Sequence, residues 1–306
     1  MKQITDFKQL ISHLRHIGGR TTVAVAGGCD SSTRLAMEQA IQQGIANFYL
    51  VGDADDLKYD ANFDAYRKFV EIIDEAEPAS AAAAAVRLVK DGVASVLMKG
   101  LINTDVLLRA ILDKQNGILQ QGHTLTHIAA LEVPAYHKML FVSDAAVIPQ
   151  PTLVQRVEMI KYAISVCRKY GIERPRVALV HCTEKISKSF AVTMDYKEIV
   201  DMANCGYFGT AIVDGPIDLK CACSIEAAKT KGLISPIEGD ADVLIMPEIE
   251  SANAVYKALT LFAGAEVADA LQGADCPVAV TSRSDSPATK YNSLAMAILT
   301  SETKIV

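Results

Sequence analysis

The chain is predicted to be α/β, built from doubly wound domains with largely parallel sheets. Three observations point there. Short apolar runs alternate with longer segments of helical spacing from one end of the sequence to the other. The short runs are continuously apolar rather than alternating in and out, as strands covered on both faces require. They also end, one after another, in small or polar residues: "AGGCDSS", "GDADD", "MKG", "SDAA", "HCTEKISKS", "DGP", "MPE" and "TSRSDS". In open α/β sheets ligands bind beyond the carboxyl ends of strands, where helix N-termini present free backbone N–H groups.

Along the chain, "TTVAVAG" is a strand, Ser31 to Gly44 a helix and "NFYLVGD" a second strand. "ASAAAAAVRLVKDG" could pass for low complexity, but Val86, Leu88 and Val89 come after the alanines, and alanine has the best intrinsic helix propensity, so this is a helix. "VASVLMKG" leads into helical "NTDVLLRAILDKQ", with Thr104 as its cap and Asp105 in the first turn. "KMLFVSD" is a strand, and Pro149 and Pro151 interrupt the pattern before a long helix from Thr152. Strands "RVALVHC", "TAIVDGP" and "DVLIMPE" precede helical "SANAVYKALTLFAG". "PVAVTSR" is a last strand, succeeded by a helix with Ser286 as cap and Pro287 in its first position. With 306 residues, half of them hydrophobic, two domains are expected, divided after residue 148.

Composition excludes several function classes. The net charge is −6, with acidic and basic residues interspersed, which argues against a nucleic-acid partner and requires any anionic ligand to be held locally. No apolar run approaches the roughly 18 residues of a bilayer span, and "MKQITDFKQLISHLRHIGGR" has no signal-peptide core. A cytoplasmic protein without membrane association is expected. Seven cysteines scattered without paired-CxxC spacing fit free thiols, and no metal site is expected. His123 and His127 in "HTLTH" lack the glutamate of a metalloprotease motif and a third ligand, Cys221 and Cys223 are too close for a common zinc chelate, and no GxSxG elbow occurs. The glycine loop "AGGCDSS" has neither a Walker lysine nor GxGxxG spacing and reads as a tight structural turn.

Chemistry concentrates in two strand exits. In "TSRSDSP", Arg283 puts a cationic fork beside the positive end of a helix, where phosphate binds well; the serines and Asp285 can act as caps. In "LMKGLINTDVLLR", Lys99 sits just after a strand and Arg109 lies in the second helical turn, where it reads either as an anion ligand or as a partner of Asp105 or Asp113. A third exit, "IMPEIESANAVYK", carries Asn253, Tyr256 and Lys257.

Together, "SVLMKG" with "TDVLLRA", "THIAALEVPAYHKMLFVSDAAV", "IVDGP", "EAAKTKGLISPIEGDADVLIMPEIESANAVYK" and "GADCPVAVTSRSDSPATKYNSLAMA" resemble the phosphate acetyltransferase and phosphate butyryltransferase family, in length nearer the butyryl branch. The resemblance implies two doubly wound domains with an interdomain cleft: residues 1–148 joined by a returning C-terminal helix 287–306, and residues 149–286. It also implies a homodimer or larger assembly, and reversible transfer of a short acyl group, butyryl or similar, between CoA and inorganic phosphate. CoA and phosphate are then substrates, with no bound cofactor. Ser282 is implied as a hydrogen-bond donor at the reacting centre and Arg283 as a ligand of phosphate or CoA, with Ser284 beside them. Lys99, Thr104 and Arg109 are implied as phosphate ligands from the facing domain, and Asn253, Tyr256 and Lys257 as lining the same cleft.

Three positions depart from the family pattern. Acetyltransferase members carry an aspartate seven residues after the motif serine, where this chain has Thr289; the butyryl branch also reads "TK" there, which leaves Asp285 and Asp144 as candidates for the general base. Lys220 stands where an aspartate is usual, and Ala252 where a glycine is usual. A protein of the same fold that binds CoA or acyl phosphate as a sensor, without turnover, is the alternative. A decarboxylating dehydrogenase lacks the aspartate cluster and nicotinamide site it needs, and a thiol relay through Cys29, Cys182 or Cys276 is a further possibility.

Overall fold

A computed structural model describes residues 2–55 and 61–301. It divides into two compact units, one formed by the chain up to Asp6 with Thr126–Glu266, the other by Phe7–Leu125 with the chain from Val267 onward.

In the second of these, α1 (Phe7–Ile17) leads to β1 (Thr21–Ala26), α2 (Ser31–Gln42), β2 (Ala46–Gly52), β3 (Val70–Asp74), α3 (Pro78–Lys90), β4 (Val96–Lys99) and α4 (Thr104–Ile111). The chain returns to this unit through β10 (Glu266–Gln272), β11 (Val278–Ala279) and α10 (Pro287–Ser301). Its strands lie in the order β3-β2-β1-β4-β11-β10. All pairs are parallel except β10–β11. Local chemistry explains the helices: α3 starts on Pro78 with Glu77 accepting from the Ser80 N–H at 2.7 Å, and its alanines 81, 82 and 85 pack inward. Every residue of α10 from Lys290 to Leu299 is buried; Leu294 to Leu299 are apolar, while Lys290 and Ser293 are buried with their polar atoms in hydrogen bonds. Ser286 accepts from Thr289 N–H at 3.1 Å, the cap expected from the sequence.

The other unit carries β5 (Thr126–Glu132), β6 (Leu140–Ser143), α5 (Leu153–Lys169), β7 (Arg176–Val180), α6 (Val192–Asn204), β8 (Ile212–Ile217), the short α7 (Leu219–Cys223) and α8 (Ile225–Thr230), β9 (Val243–Ile245) and α9 (Ile249–Phe262). Strand order is β5-β6-β9-β7-β8, with only β5–β6 antiparallel. A reciprocal capping box between Thr152 and Gln155 starts α5 after the two prolines.

These findings bear out the mostly parallel α/β class. The division of the chain differs from the boundaries at 148 and 286 read from sequence, for a pairing reason. β6 joins β9, which ties residues 126–148 to the later strands, and β11 joins β4, which ties residues 267–286 to the earlier ones. The last helix is described to Ser301, so residues 302–306 of the expected 287–306 lie outside the described residues.

One close approach shapes the edge where β1 and β4 end. Ala26 is the register partner of Lys99, and Gly100 donates its N–H to the Ala26 carbonyl at 2.9 Å. A Cβ on Gly100 would run into the Gly28 carbonyl oxygen. Gly100→Ala is therefore expected to push the two loops apart and cost about 2 kcal/mol or more of stability, read as a lower denaturant midpoint.

Candidate active site

Three adjacent parallel strands, β1, β4 and β11, finish at one edge of their sheet. Val278 and Ala279 of β11 pair with Leu97 and Met98 of β4, so Lys99 and the "TSRSDS" turn emerge side by side. The glycine loop and Asp30 emerge next to Lys99 on its other flank.

In the "TSRSDS" turn the Asp285 carboxylate accepts the Ser282 N–H at 2.6 Å, and Asp285 N–H returns a bond to the Ser282 carbonyl at 3.2 Å. The Ser282 and Ser284 hydroxyls are 3.0 Å apart. Both serines and Arg283 are exposed, while Asp285 is half-buried. Burial raises the Asp285 carboxyl above the usual carboxylate range; Asp269 adds to this, against the Ser282 N–H and the charges of Lys290 and Lys99. The Arg283 guanidinium donates to Asn103 Oδ1 at 3.0 Å, across 180 residues of sequence.

Lys99 is only 5% exposed, and among the described residues its ammonium makes one long hydrogen bond, 3.4 Å to the Gly100 carbonyl. No carboxylate pairs with it among the described residues. Burial lowers its pKa below the ordinary lysine value, helped by repulsion from Lys290 and Arg283 and opposed by Asp30 and Asp285. A buried cation held without a counter-ion is costly and suits an anion that arrives with the substrate.

Other sequence candidates are less engaged. The cap of α4 is Asn103, not Thr104; its side chain makes no capping bond and faces Arg283 instead. Thr104 is exposed at the helix start. Arg109 is exposed and lies 3.4 Å from Asp105 on its own helix, the local pairing the spacing allowed.

A second cluster gathers in the other unit where β6 ends. Asp144 is 2% exposed, and its carboxylate accepts four bonds: from Thr126 Oγ1 and His127 N–H on β5, and from the N–H groups of Ala146 and Val147. Asn253 donates to the Ala145 carbonyl at 3.0 Å, and Tyr256 meets the His127 ring edge-on at 6.3 Å. Lys257 is exposed beside them. His127 is thus on a strand, not a helix, so the spacing from His123 does not bring two imidazoles onto one helical face.

The departures from the family pattern find local explanations. Thr289 is engaged in the Ser286 cap. Lys220 is exposed in the first turn of α7, whose cap is Asp218, two residues earlier. Ala252 is fully buried in α9. Glu184, Asp218 and Cys221 cluster closely enough to suggest a metal, but the Lys231 ammonium lies 2.8 Å from Glu184 and 3.7 Å from Asp218 and supplies the positive charge. Burial pushes the Cys276 thiol up to about 12, unsuited to a nucleophile.

Sequence reasoning missed Asn103, Lys290 and Asp30. Lys290 is 3% exposed and donates to both Asp30 oxygens at 2.8 Å and to Thr33 Oγ1 at 3.0 Å. Asp30 of the glycine loop is the N-cap of α2.

A model of the phosphate acetyl/butaryl transferase family matches residues 75–298. The chain belongs to this family. It is 37% identical over 299 residues to a phosphate butyryltransferase of Clostridium beijerinckii, covering 96% of this chain and 97% of the relative. A phosphate acetyltransferase of Thermotoga maritima is 40% identical over 226 residues, 74% of this chain and 76% of that one. Among solved structures, a branched-chain phosphotransacylase from Enterococcus faecalis superimposes with a TM-score of 0.81 at 31% identity, covering 92% of this chain and 99% of its own.

Because the folded environment raises the Asp285 pKa, the ionised carboxylate carries a cost that is absent below about pH 4 and appears as pH rises through the raised value. Asp285→Asn keeps an oxygen for the Ser282 N–H. The variant is expected to melt higher than wild type at pH 7, with the difference closing below pH ~4 in a pH series of thermal scans.

Proposed function

We propose that the chain is a phosphate acyltransferase that moves a short acyl group, butyryl or similar, reversibly between the thiol of CoA and inorganic phosphate. The observation that carries this reading is the buried Lys99 ammonium, which has no carboxylate partner among the described residues and feels the charge of Arg283. Family membership narrows the anion to phosphate and the second substrate to an acyl-CoA.

Lys99 and Arg283 hold phosphate, the guanidinium with a bidentate grip and the ammonium as a point charge. A phosphate oxygen attacks the thioester carbonyl, forming a C–O bond. The C–S bond then breaks and its electron pair leaves on sulfur. Ser282, with Ser284 3.0 Å away to orient its hydroxyl, donates to the oxygen or thiolate that gains charge. Asp285 carries the proton: its raised pKa suits an acid that protonates the departing thiolate, and in the reverse direction a base that accepts the thiol proton. Asp144 is the weaker base candidate, because four donors already saturate its oxygens. Its part, with Asn253 and Tyr256, is to shape the second cluster for substrate, where Lys257 offers an exposed charge; Thr104 and Arg109 offer further polar contacts near Asn103.

A cytoplasmic location belongs to the same proposal; among the described residues no helix is long and apolar enough to cross a membrane. So does homo-oligomeric assembly, which the exposed Leu261 and Phe262 at the end of α9 support. A sensor without turnover has no specific observation in its favour.

Purified protein given butyryl-CoA and phosphate is expected to release free thiol in proportion to phosphate, and a panel from acetyl- to valeryl-CoA gives the chain-length preference. Arg283→Ala and Lys99→Ala are each expected to lower kcat/KM for phosphate by about 100-fold. If no acyl-CoA in the panel gives phosphate-dependent thiol release, the reading fails.

A further inference from the structure

Lys290 is a lysine with all of its ammonium protons in use. Two go to Asp30 and one to Thr33 Oγ1, in a position only 3% exposed. Asp30 also accepts the Thr33 N–H at 2.7 Å as the N-cap of α2. These bonds pull the carboxyl below its ordinary range, although burial alone would raise it.

Asp30 belongs to the loop that leaves β1, and that loop lies against the Lys99 segment. Gly100 donates to Ala26 at 2.9 Å, and Leu101 donates to the Gly28 carbonyl at 3.3 Å. A buried ammonium with a carboxylate so near would ordinarily pair with it, because an unpaired buried charge is costly. Lys99 does not; among the described residues its one hydrogen bond is to a carbonyl at 3.4 Å. The carboxylate is already filled, on both oxygens, by Lys290.

We propose that Lys290 is a positioning residue: by satisfying Asp30 it keeps Lys99 free of a carboxylate partner, so that the Lys99 charge is left for the substrate phosphate. The inference rests on the phosphate acyltransferase reading. Four charged groups act on Lys99: Lys290 from α10, Arg283 and Asp285 from the turn before it, and Asp30 from the loop after β1. Removing the Lys290 charge leaves Asp30 to capture Lys99 and to repel phosphate. Removing the Asp30 charge does the reverse, releasing a second ammonium at the same edge. Opposite signs distinguish this from a merely structural pair, in which both losses weaken the site together.

The test uses Lys290→Met, Asp30→Asn and the double variant in the full chain, with phosphate KM and kcat measured on butyryl-CoA. Asparagine keeps a cap for α2. Lys290→Met is expected to raise phosphate KM by about tenfold or more with a smaller change in kcat, Asp30→Asn to leave it unchanged or lower it, and the double variant to return toward wild type. A second readout needs no turnover: the pH dependence of Lys99 labelling by an amine-reactive reagent, monitored by mass spectrometry. Its midpoint is expected to rise in Lys290→Met and fall in Asp30→Asn. The proposal is overturned if both single changes raise phosphate KM and the double is worst, or if the Lys99 labelling curve stays still in both. Should Lys290→Met fail to fold, Asp30→Asn decides alone, since a rise in phosphate KM overturns the idea. Absence of phosphate-dependent turnover in the wild type would instead overturn the reading of function, and the labelling experiment then still judges the Lys290–Asp30 pair.

Discussion

The candidate site depends on one constraint, the parallel register of β1, β4 and β11. Because Ala26 pairs with Lys99 and Ala279 with Met98, the three strands stop together, and the loop leaving each strand is delivered to the same edge. Backbone hydrogen bonding does this without any help from the side chains that perform the chemistry. Lys99 is carried into a position where it is nearly buried, Arg283 reaches Asn103, and Asp30 arrives with its carboxylate already paired. A cation desolvated in advance and left without a counter-ion binds an incoming anion more strongly than an exposed lysine could, because little water is displaced and no internal partner must be broken.

The two titratable groups beside it are pushed in complementary directions. Burial holds the Asp285 carboxyl above its usual range and the Lys99 ammonium below its own. The Asp285 shift suits a group that gives and takes a proton, while the Lys99 shift records the cost of a buried charge that a bound anion relieves. Asp144 shows the contrast: a carboxylate given four donors serves the scaffold, stitching β5 to the turn after β6. Two aspartates that look alike in sequence are thus separated by their hydrogen-bond supply.

Much of this was legible in the amino-acid sequence. Continuous apolar runs announced the parallel strands, and Ser286-Pro287 announced the start of α10. β10, "EVADALQ", was not recognised, because its alanines, leucine and terminal glutamine favour helix; five consecutive buried positions override that preference. The domain boundaries shifted because strand pairing between distant segments, β6 with β9 and β4 with β11, leaves no local mark. The same reason hid Lys290 and Asp30. They lie 260 residues apart, and each has a sufficient local explanation as a helix residue or a cap. Asn103 was overlooked in favour of Thr104 because both are good cap residues, and only the reach of Arg283 separates them.

The most direct measurement is a crystal structure of the protein soaked in inorganic phosphate without CoA. The account requires the anion to lie within hydrogen-bond distance of both the Lys99 ammonium and the Arg283 guanidinium, with Asp30 still on Lys290. Phosphate bound elsewhere, with Lys99 still touching only the Gly100 carbonyl, would contradict it.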